Sequence, residues 1–250
     1  MEYVMRLDGL QQTWDALGAE DPMWAILTDA AKKGQKWNRD EFFATGRAQV
    51  ADLLRSLAAL EGPVAFGRAL DVGCGIGRVT QALAAHYDQV EGVDIAPSMI
   101  ARADAENTVG PRVTYRLVAG ADLAHIPSGT IDLVWSVIVL QHMPPPVALA
   151  YLREFVRVLS LEGVAVFQIP TRIPFREAIK HWLPPLAWAH RTLFRRGRPV
   201  MAMHVIPART VARTVEVAGG SIVREEAGRD GAHEWITYYV RRRGEILSRA

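Results

Sequence analysis

The chain has 250 residues, half of them hydrophobic, with 29 basic and 27 acidic side chains. This length and apolar fraction can support a sizeable folded core, and they exclude a chain that is mainly disordered. The formal charge of +2 is too small to indicate binding to nucleic acid, and the single cysteine, Cys74, excludes an internal disulfide and a multi-thiolate zinc site.

Neither a leader nor a membrane span is indicated by the sequence. The first residues lack the basic stretch and the apolar core of a signal peptide. The longest apolar run, at 133–140, is much shorter than the ~20 residues that cross a bilayer. We therefore expect a cytoplasmic protein without stable membrane insertion.

Residues 1–62 are predicted to form a mostly helical N-terminal extension, with breaks at 18–22 and near Gly34. Helical spacing indicates an apolar face that packs on a sheet, formed by Val50, Leu53, Leu54 and Leu57. Three aromatic residues of the extension fit either closure of a ligand pocket or plain packing: Trp37, Phe42 and Phe43.

From residue 63 onward, short β-branched runs alternate with amphipathic stretches, which is typical of strand–helix units on a parallel sheet. We predict helices at 78–86, 97–105 and 146–159, and strands at 69–72, 90–93, 113–117, 131–137, 164–169, 221–224 and 234–240. A turn at 228–231 joins the last two strands without a helix, so the final strand is expected to be antiparallel. The predicted fold of 63–250 is α/β, with seven mostly parallel strands and helices on both faces.

Residues 171–206 fit no strand pattern, and we predict a helical insertion there. Between 171 and 200 there are seven basic residues and one acidic residue, which gives this segment +6 and leaves −4 for the rest of the chain. One interpretation is a lid that binds a carboxylate or phosphate of an anionic substrate. A second interpretation is that the basic residues stabilise a helix C-terminus while the aromatic residues make core or homodimer contacts. A third is an amphipathic surface that touches a membrane. The aromatic residues of the segment are Phe175, Trp182, Trp188 and Phe194.

A glycine-rich turn at 71–78 is the strongest signal in the sequence. Its alternate glycines, Gly73, Gly75 and Gly77, permit unusual backbone angles and let a ligand lie against the main chain. The following helix offers free N–H groups to an anionic group. A nicotinamide-dinucleotide turn would have its third glycine at the position of Arg78, and no Gly-Lys-Ser/Thr of a P-loop follows.

A carboxylate ends the second predicted strand: Asp94 lies 23 residues after Asp71. An acidic residue at this spacing can accept hydrogen bonds from ribose hydroxyls. Taken singly, Asp71 could serve only to cap the following turn, and Asp94 could serve only to start the next helix. Together with the glycine turn, the spacing predicts a nucleotide-like cofactor at these strand ends.

Four ordered blocks of the sequence resemble the class I S-adenosylmethionine-dependent methyltransferases. They are Asp-Val-Gly-Cys-Gly-Ile-Gly at 71–77, Val-Asp-Ile-Ala-Pro-Ser-Met at 93–99, residues 120–127 with 131–134, and residues 152–163. One departure is Leu-Glu-Gly at 161–163, where the family usually has Pro-Gly-Gly. The resemblance implies a Rossmann-like fold, S-adenosylmethionine as the cofactor, and methyl transfer to oxygen or nitrogen of a small-molecule acceptor.

Two other functions remain open on the same fold. One is a non-catalytic S-adenosylmethionine-binding or scaffold protein. The other is carbon methylation of a lipid-like or quinone-like acceptor. Methylation of pyrimidine carbon through a cysteine nucleophile is not expected, because Cys74 lies inside the glycine turn and fits a small packing residue.

The resemblance also implies roles at matching positions. No bound metal is expected. Asp71 with the glycine turn would hold the methionine part of the cofactor, and Asp94 would hold the ribose. Ile95 and Met99 would contact the two faces of adenine. Three further contacts follow, namely Asp122 with the exocyclic amine, the Leu123 backbone N–H with the ring, and the Val137 carbonyl near the methionine amino group.

His142, directly after the fourth predicted strand, is the candidate general base. Ligands bind at the carboxyl ends of strands in open α/β sheets, and histidine titrates near neutrality. A base is needed only when the acceptor loses a proton, and a histidine here also fits a hydrogen bond to the backbone. The prolines at 144–146 come too late after the strand, and lack the following aromatic residue, to indicate adenine in nucleic acid as the acceptor.

Overall fold

The computed structural model describes residues 2–120, 123–172, 201–231 and 233–244, with side chains from Leu7 onward. The helices within these ranges are α1 (Glu2–Glu20), α2 (Pro22–Ile26), α3 (Arg39–Ala58), α4 (Arg78–Leu83), α5 (Pro97–Glu106), α6 (Pro145–Val158) and α7 (Ala208–Val217). Short 3₁₀ turns lie at Ala30–Lys32 and Leu140–His142. The strands are β1 (Arg68–Val72), β2 (Gln89–Asp94), β3 (Val113–Leu117), β4 (Ile131–Ser136), β5 (Leu159–Arg172), β6 (Gly220–Asp230) and β7 (His233–Arg242).

Local signals explain where several helices begin. Asn38 caps α3, because its side chain accepts hydrogen bonds from the backbone N–H groups of Asp40 and Glu41. Proline occupies the first turn of α5 and of α6, where its missing N–H costs no helical hydrogen bond.

The strands form one sheet in the order β3-β2-β1-β4-β5-β7-β6. Strands β1 to β5 pair in parallel, and β7 is antiparallel to both of its neighbours. The predicted mixed sheet with an antiparallel last strand is therefore confirmed. The strand order reverses between β1 and β4, and in open α/β sheets ligands bind outside the carboxyl ends of the strands at such a point.

Helices cover both faces of the sheet, as predicted. On one face α6 and α7 bury an apolar cluster that includes Phe155 and Val211. On the other face α3 and α4 form a second cluster, in which Val50, Leu53 and Leu57 are buried against strand residues. The predicted packing of the α3 face on the sheet is thus confirmed.

The predicted turn at 228–231 is wrong in extent. Strand β6 continues to Asp230, and residues Gly228 to Asp230 pair with Trp235 to His233 across the ladder. A β-carbon at Gly228 would collide with the indole of Trp235. The glycine is therefore a strand residue that makes room for a large cross-strand neighbour.

Most of the predicted insertion lies outside the described residues. Residues 171 and 172 end β5, residues 173–200 are not described, and residues 201–207 lead into α7. The lid interpretation and the aromatic residues assigned to it thus concern a part of the chain for which no structure is given. In the described ranges, no helix combines the length and apolar character needed to cross a membrane.

Candidate functional site

The glycine turn between β1 and α4 is held by the end of β2. The N–H groups of Gly73 and Cys74 donate to the carbonyl of Val93 at 2.8 and 3.1 Å, and the N–H of Gly75 donates to Asp94 Oδ2 at 2.9 Å. The φ angles of Gly73, Gly75 and Gly77 are 78°, 54° and 82°. These angles lie in the left-handed region that glycine adopts without steric cost.

Each glycine of the turn also allows one neighbouring side chain to approach the backbone. A β-carbon would collide with Val139 at Gly73, with Ile26 at Gly75, and with the hydroxyl of Tyr115 at Gly77. The turn is therefore packed from three sides, by the segment after β4, by α2 and by β3.

Gly77→Ala is expected to lower the free energy of unfolding by about 1–3 kcal/mol, since it adds both backbone strain and a steric overlap. The double variant with Tyr115→Phe should recover the part due to the tyrosine hydroxyl, while the part due to the φ angle remains. Urea unfolding of the wild type, both single variants and the double variant measures this cycle. A Gly77→Ala protein as stable as the wild type would contradict the expectation.

Asp71, at the end of β1, is a buried carboxylate, 3% exposed. Its Oδ2 accepts a hydrogen bond from Thr80 Oγ1 of α4 at 2.6 Å. Burial raises the pKa of Asp71 to about 6, although the Thr80 bond and the charge of Arg78 oppose the rise. Asp71 is therefore ionised at neutral pH, and its buried charge lowers the stability of the folded protein.

Asp94, at the end of β2, uses one oxygen for each of two backbone N–H groups. Oδ2 accepts from Gly75 and Oδ1 accepts from Ala96, both at 2.9 Å. Burial raises the pKa of Asp94, and these two bonds oppose the rise. Because a carboxylate oxygen can accept about two hydrogen bonds, capacity remains for a ligand's hydroxyl groups.

Arg78, the first residue of α4, is 7% exposed. Its Nη1 donates to Thr45 Oγ1 at 3.2 Å and its Nη2 donates to Gln49 Oε1 at 2.7 Å, both from α3. Burial lowers the pKa of the guanidinium, and the charge of Asp71 raises it. In the described part of the chain, the buried Nε has no hydrogen-bond partner.

A cavity at the carboxyl ends of β1, β2 and β4 brings these groups together. Its empty space is about 1070 Å³, open solvent at its mouth included. Most of the sequence-predicted site residues line it: Asp71, Gly73, Gly75, Asp94, Ile95, Met99, Val137 and His142. Arg78 lines it as well. The cavity is thus lined by acidic and basic groups together with apolar side chains.

Two of the described residues predicted to bind the cofactor, Gly77 and Leu123, are not among those that line the cavity. Gly77 is the last glycine of the turn, and its α-carbon faces the side chain of Tyr115. Leu123 is fully buried, and its backbone N–H already donates to Glu154 Oε2 at 3.2 Å. Asp122 lies outside the described residues.

The N-terminal extension supplies walls that the sequence reasoning missed. Side chains of α1 and α2 line the cavity: Leu7, Leu10, Trp14, Ala25 and Ile26. Helix α1 is fixed to the start of α5, since Gln11 Nε2 donates to the carbonyl of Ile95 at 2.9 Å and Ser98 N donates to Asp15 Oδ1 at 2.7 Å. The apolar spacing of residues 7, 10, 14 and 17 is helical and could have indicated this face.

The aromatic residues considered for pocket closure do not line the cavity. Phe42 and Phe43 are buried in a cluster with Ile76 and Met99, and Trp37 packs against that cluster. Their contacts therefore match plain packing.

His142 lies in the 3₁₀ turn after β4, at the side of the cavity. Its Nδ1 is 2.7 Å from the carbonyl oxygen of Ala202; because a carbonyl only accepts, Nδ1 carries the proton and Nε2 is the acceptor. Nε2 lies 3.1 Å from Gln141 Nε2, and the Trp14 ring packs edge-on with a centroid distance of 5.0 Å. Burial lowers the pKa of His142, so the ring is neutral at pH 7 and able to accept a proton.

The described residues do not favour a cysteine nucleophile or a metal site. Burial raises the pKa of the Cys74 thiol, which is unfavourable for a nucleophile. No group of three or more His, Cys, Asp or Glu residues within the described ranges is placed to hold a metal ion.

Several known proteins that resemble the chain are described as methyltransferases. Residues 69–163 match the family described as "Methyltransferase domain". A ubiquinone biosynthesis O-methyltransferase of Xanthomonas oryzae pv. oryzae is 33% identical over 114 residues, which are 44% of this chain and 46% of that protein. A 2-methyl-6-phytyl-1,4-hydroquinone methyltransferase of Synechocystis is 37% identical over 99 residues, 39% of this chain and 30% of that protein.

Among solved structures, magnesium protoporphyrin IX methyltransferase of Synechocystis PCC 6803 with bound SAH is similar in fold. The TM-score is 0.64 at 17% identity, over 95% of this chain and 99% of that chain. The two curated relatives, by contrast, are matched over less than half of their own lengths.

Proposed function

We propose, from the match of residues 69–163 to a methyltransferase domain, that the chain is a class I methyltransferase that transfers a methyl group from S-adenosylmethionine to oxygen or nitrogen of a small-molecule acceptor. One observation carries the proposal: the glycine turn, Asp71, Asp94 and His142 meet on a single cavity at the reversal of strand order.

The residues of the cavity fit the cofactor. Asp71 and Arg78 offer opposite charges to the ammonium and carboxylate of the methionine part, and the buried Nε of Arg78 has a hydrogen bond to give. Asp94 has acceptor capacity for ribose hydroxyls, and Ile95 with Met99 would contact adenine. Val137 would place its carbonyl near the ammonium. Leu123 is left out of this set because its N–H is already bonded.

S-adenosylmethionine would supply an electrophilic methyl group on a sulfonium. The chain chiefly aligns the acceptor with that group, and such positioning is worth ~7–11 kcal/mol in favourable cases. When the acceptor is a hydroxyl, it would replace Gln141 Nε2 as the hydrogen-bond donor to His142 Nε2. His142 Nε2 then takes the proton that the oxygen loses as the new C–O bond forms and the C–S bond breaks. The carbonyl of Ala202 keeps the imidazole in the tautomer that this role requires.

Calorimetric titration with S-adenosylmethionine and S-adenosylhomocysteine tests the cofactor, and failure of both to bind contradicts the proposal. Transfer of labelled methyl groups to a panel of metabolites separates an enzyme from a non-catalytic cofactor-binding protein. A parallel titration with NAD tests the nicotinamide alternative, for which no binding is expected.

We further propose a cytoplasmic location and an anionic acceptor, with 1–62 acting as an extension of the 63–250 domain. The +6 charge of residues 171–200 supports a negative group on the acceptor. The names of the two curated relatives, an O-methyltransferase of ubiquinone biosynthesis and a hydroquinone methyltransferase, support an aromatic acceptor. Sedimentation of the purified chain tests for a homodimer.

His142→Gln should lower turnover of a hydroxyl acceptor by about 10²–10⁴-fold, because glutamine can still donate to Ala202 but cannot take the proton. Cofactor affinity should stay within threefold of the wild type. Methyl transfer measured from pH 5 to 9 should also lose its acid limb. His204→Gln is the matched control and should remain active, with the acid limb moved upward because His204 lowers the pKa of His142. Full turnover by His142→Gln would reject the base.

A further inference from the structure

Ile138, two residues after the end of β4, has a φ angle of +64°. A β-branched residue in this left-handed region is a true outlier, since its β-carbon crowds the backbone. Such conformations persist only where the surrounding structure enforces them, and they occur preferentially at functional sites.

The contacts on both sides of Ile138 enforce this conformation. Before it, Ser136 Oγ donates to the carbonyl of Val72 at 3.2 Å. After it, the side chain of Val139 packs on Gly73 so closely that a β-carbon there would collide, and the N–H of His142 donates to the carbonyl of Val139 at 3.0 Å. The chain must therefore reverse at residue 138 to bring Val139 onto the glycine turn.

The reversal alone would be served better by glycine, which adopts this angle without strain. The isoleucine side chain instead lines the cavity and is 41% exposed. The part of this large apolar side chain that the protein does not cover is available to contact a ligand in the cavity.

The cavity around Ile138 is apolar apart from a few groups. Residues of α1, of α6 and of the segment directly after the 3₁₀ turn complete the wall: Leu7, Leu10, Trp14, Met143, Val147 and Tyr151. The Tyr151 hydroxyl is committed to the carbonyl of Gly120 at 2.5 Å. His142 also lines this side of the cavity, and its Nε2 accepts from Gln141 Nε2, a bond that a ligand hydroxyl can replace. This combination suits an apolar ring that bears one hydroxyl group.

We propose that Ile138 is a specificity-determining residue, held in a strained conformation so that its side chain packs against an apolar, hydroxyl-bearing ring of the methyl acceptor. This inference rests on the proposed function and names its substrate class. The ring lies between Ile138 and the apolar face of α1, with its hydroxyl toward His142.

2-Naphthol is a suitable probe, and its binding to the full chain saturated with S-adenosylhomocysteine can be followed by fluorescence. Ile138→Gly should weaken naphthol binding tenfold or more, while the melting temperature stays equal or rises and S-adenosylhomocysteine affinity changes less than twofold. Ile138→Asn, which tolerates the same backbone angle, should weaken it similarly because its side chain is polar. In turnover with a phenolic acceptor, the loss should fall on KM rather than kcat.

Gln35→Gly is the matched control. Gln35 also has a positive φ, 59°, but it does not line the cavity. Relief of strain there should leave naphthol binding unchanged. Naphthol affinity within twofold of the wild type in Ile138→Gly, or no naphthol binding by wild type that binds S-adenosylhomocysteine, overturns this inference alone. Failure of S-adenosylhomocysteine to bind overturns the proposed function and this inference with it.

Discussion

Asp94→Ala is expected to weaken binding of S-adenosylhomocysteine by 100-fold or more. The variant loses the acceptor proposed for two ribose hydroxyls, and hydrogen bonds to a charged group contribute about 1.5–3 kcal/mol each. Since 1.4 kcal/mol corresponds to a tenfold change in affinity, two such bonds account for this loss. The substitution also removes the acceptor of the Gly75 N–H, one of three hydrogen bonds between the glycine turn and the end of β2.

Glu91→Ala is the matched control for Asp94→Ala. Glu91 is a carboxylate on the same strand, paired with Arg116 at 2.9 Å and His125 at 3.0 Å, and it does not line the cavity. Isothermal titration should give the wild-type dissociation constant for this control. An Asp94→Ala protein that is folded, as judged by its melting curve, and binds within threefold of the wild type would contradict the proposed ribose contact.

Asp71→Asn is expected to move stability and cofactor affinity in opposite directions. Asparagine can still accept the hydrogen bond from Thr80, and it removes a buried charge. The difference between the ordinary pKa of 3.8 and the pKa of about 6 in the folded protein corresponds to roughly 3 kcal/mol of folding free energy at neutral pH. Urea unfolding at pH 7.5 should therefore show a more stable variant, by up to this amount.

The cofactor should bind the same variant tenfold or more weakly, because the negative charge opposite the methionine ammonium is lost. Wild-type affinity should also fall as the pH drops below about 6, where Asp71 becomes protonated, and Asp71→Asn should lack this dependence. Calorimetric dissociation constants at pH 7.5 and pH 5.0 measure both effects. A variant that binds as tightly as the wild type at pH 7.5 would rule out this contact.

The sign of the stability change with pH follows from the raised pKa. The folded protein holds the Asp71 proton more tightly than the unfolded chain does, so the cost of the charge is complete above about pH 6 and disappears as the pH falls toward 3.8. The stability difference between Asp71→Asn and wild type should shrink over that interval. Thr80→Val, which removes the bond that lowers the pKa of Asp71 in the folded protein, should extend the interval at its upper end.

Strand positions and the two carboxylates were predictable because they depend on local patterns. The β-branched runs located β1 to β5, and the glycine turn with Asp94 located the cavity. The conformation of Ile138 was not predictable, because a β-branched residue argues against a positive φ and only the packing of Val139 on Gly73 enforces it. Gly228 was predicted to lie in a turn because glycine favours turns locally. In the structure it is a strand residue that makes room for Trp235 on the neighbouring strand, and this long-range contact is not visible in the local pattern.

The part of the cavity wall formed by α1 was only partly predictable from the sequence. The spacing of its apolar residues indicates a buried face, but helical periodicity does not say against what the face packs. That depends on contacts between distant parts of the sequence, such as Gln11 with the carbonyl of Ile95. Leu123 was assigned by resemblance alone, and Glu154 of α6 takes up its N–H.

The guanidinium of Arg78 links the cavity to a helix that does not reach it. Helix α3, described along its whole length, contributes no residue to the cavity wall, yet Thr45 and Gln49 hold both terminal nitrogens of this cation. The orientation of the positive charge at the cavity wall is therefore set from outside the cavity. Under the proposed function, affinity for the cofactor depends in part on Thr45 and Gln49, which do not line the cavity.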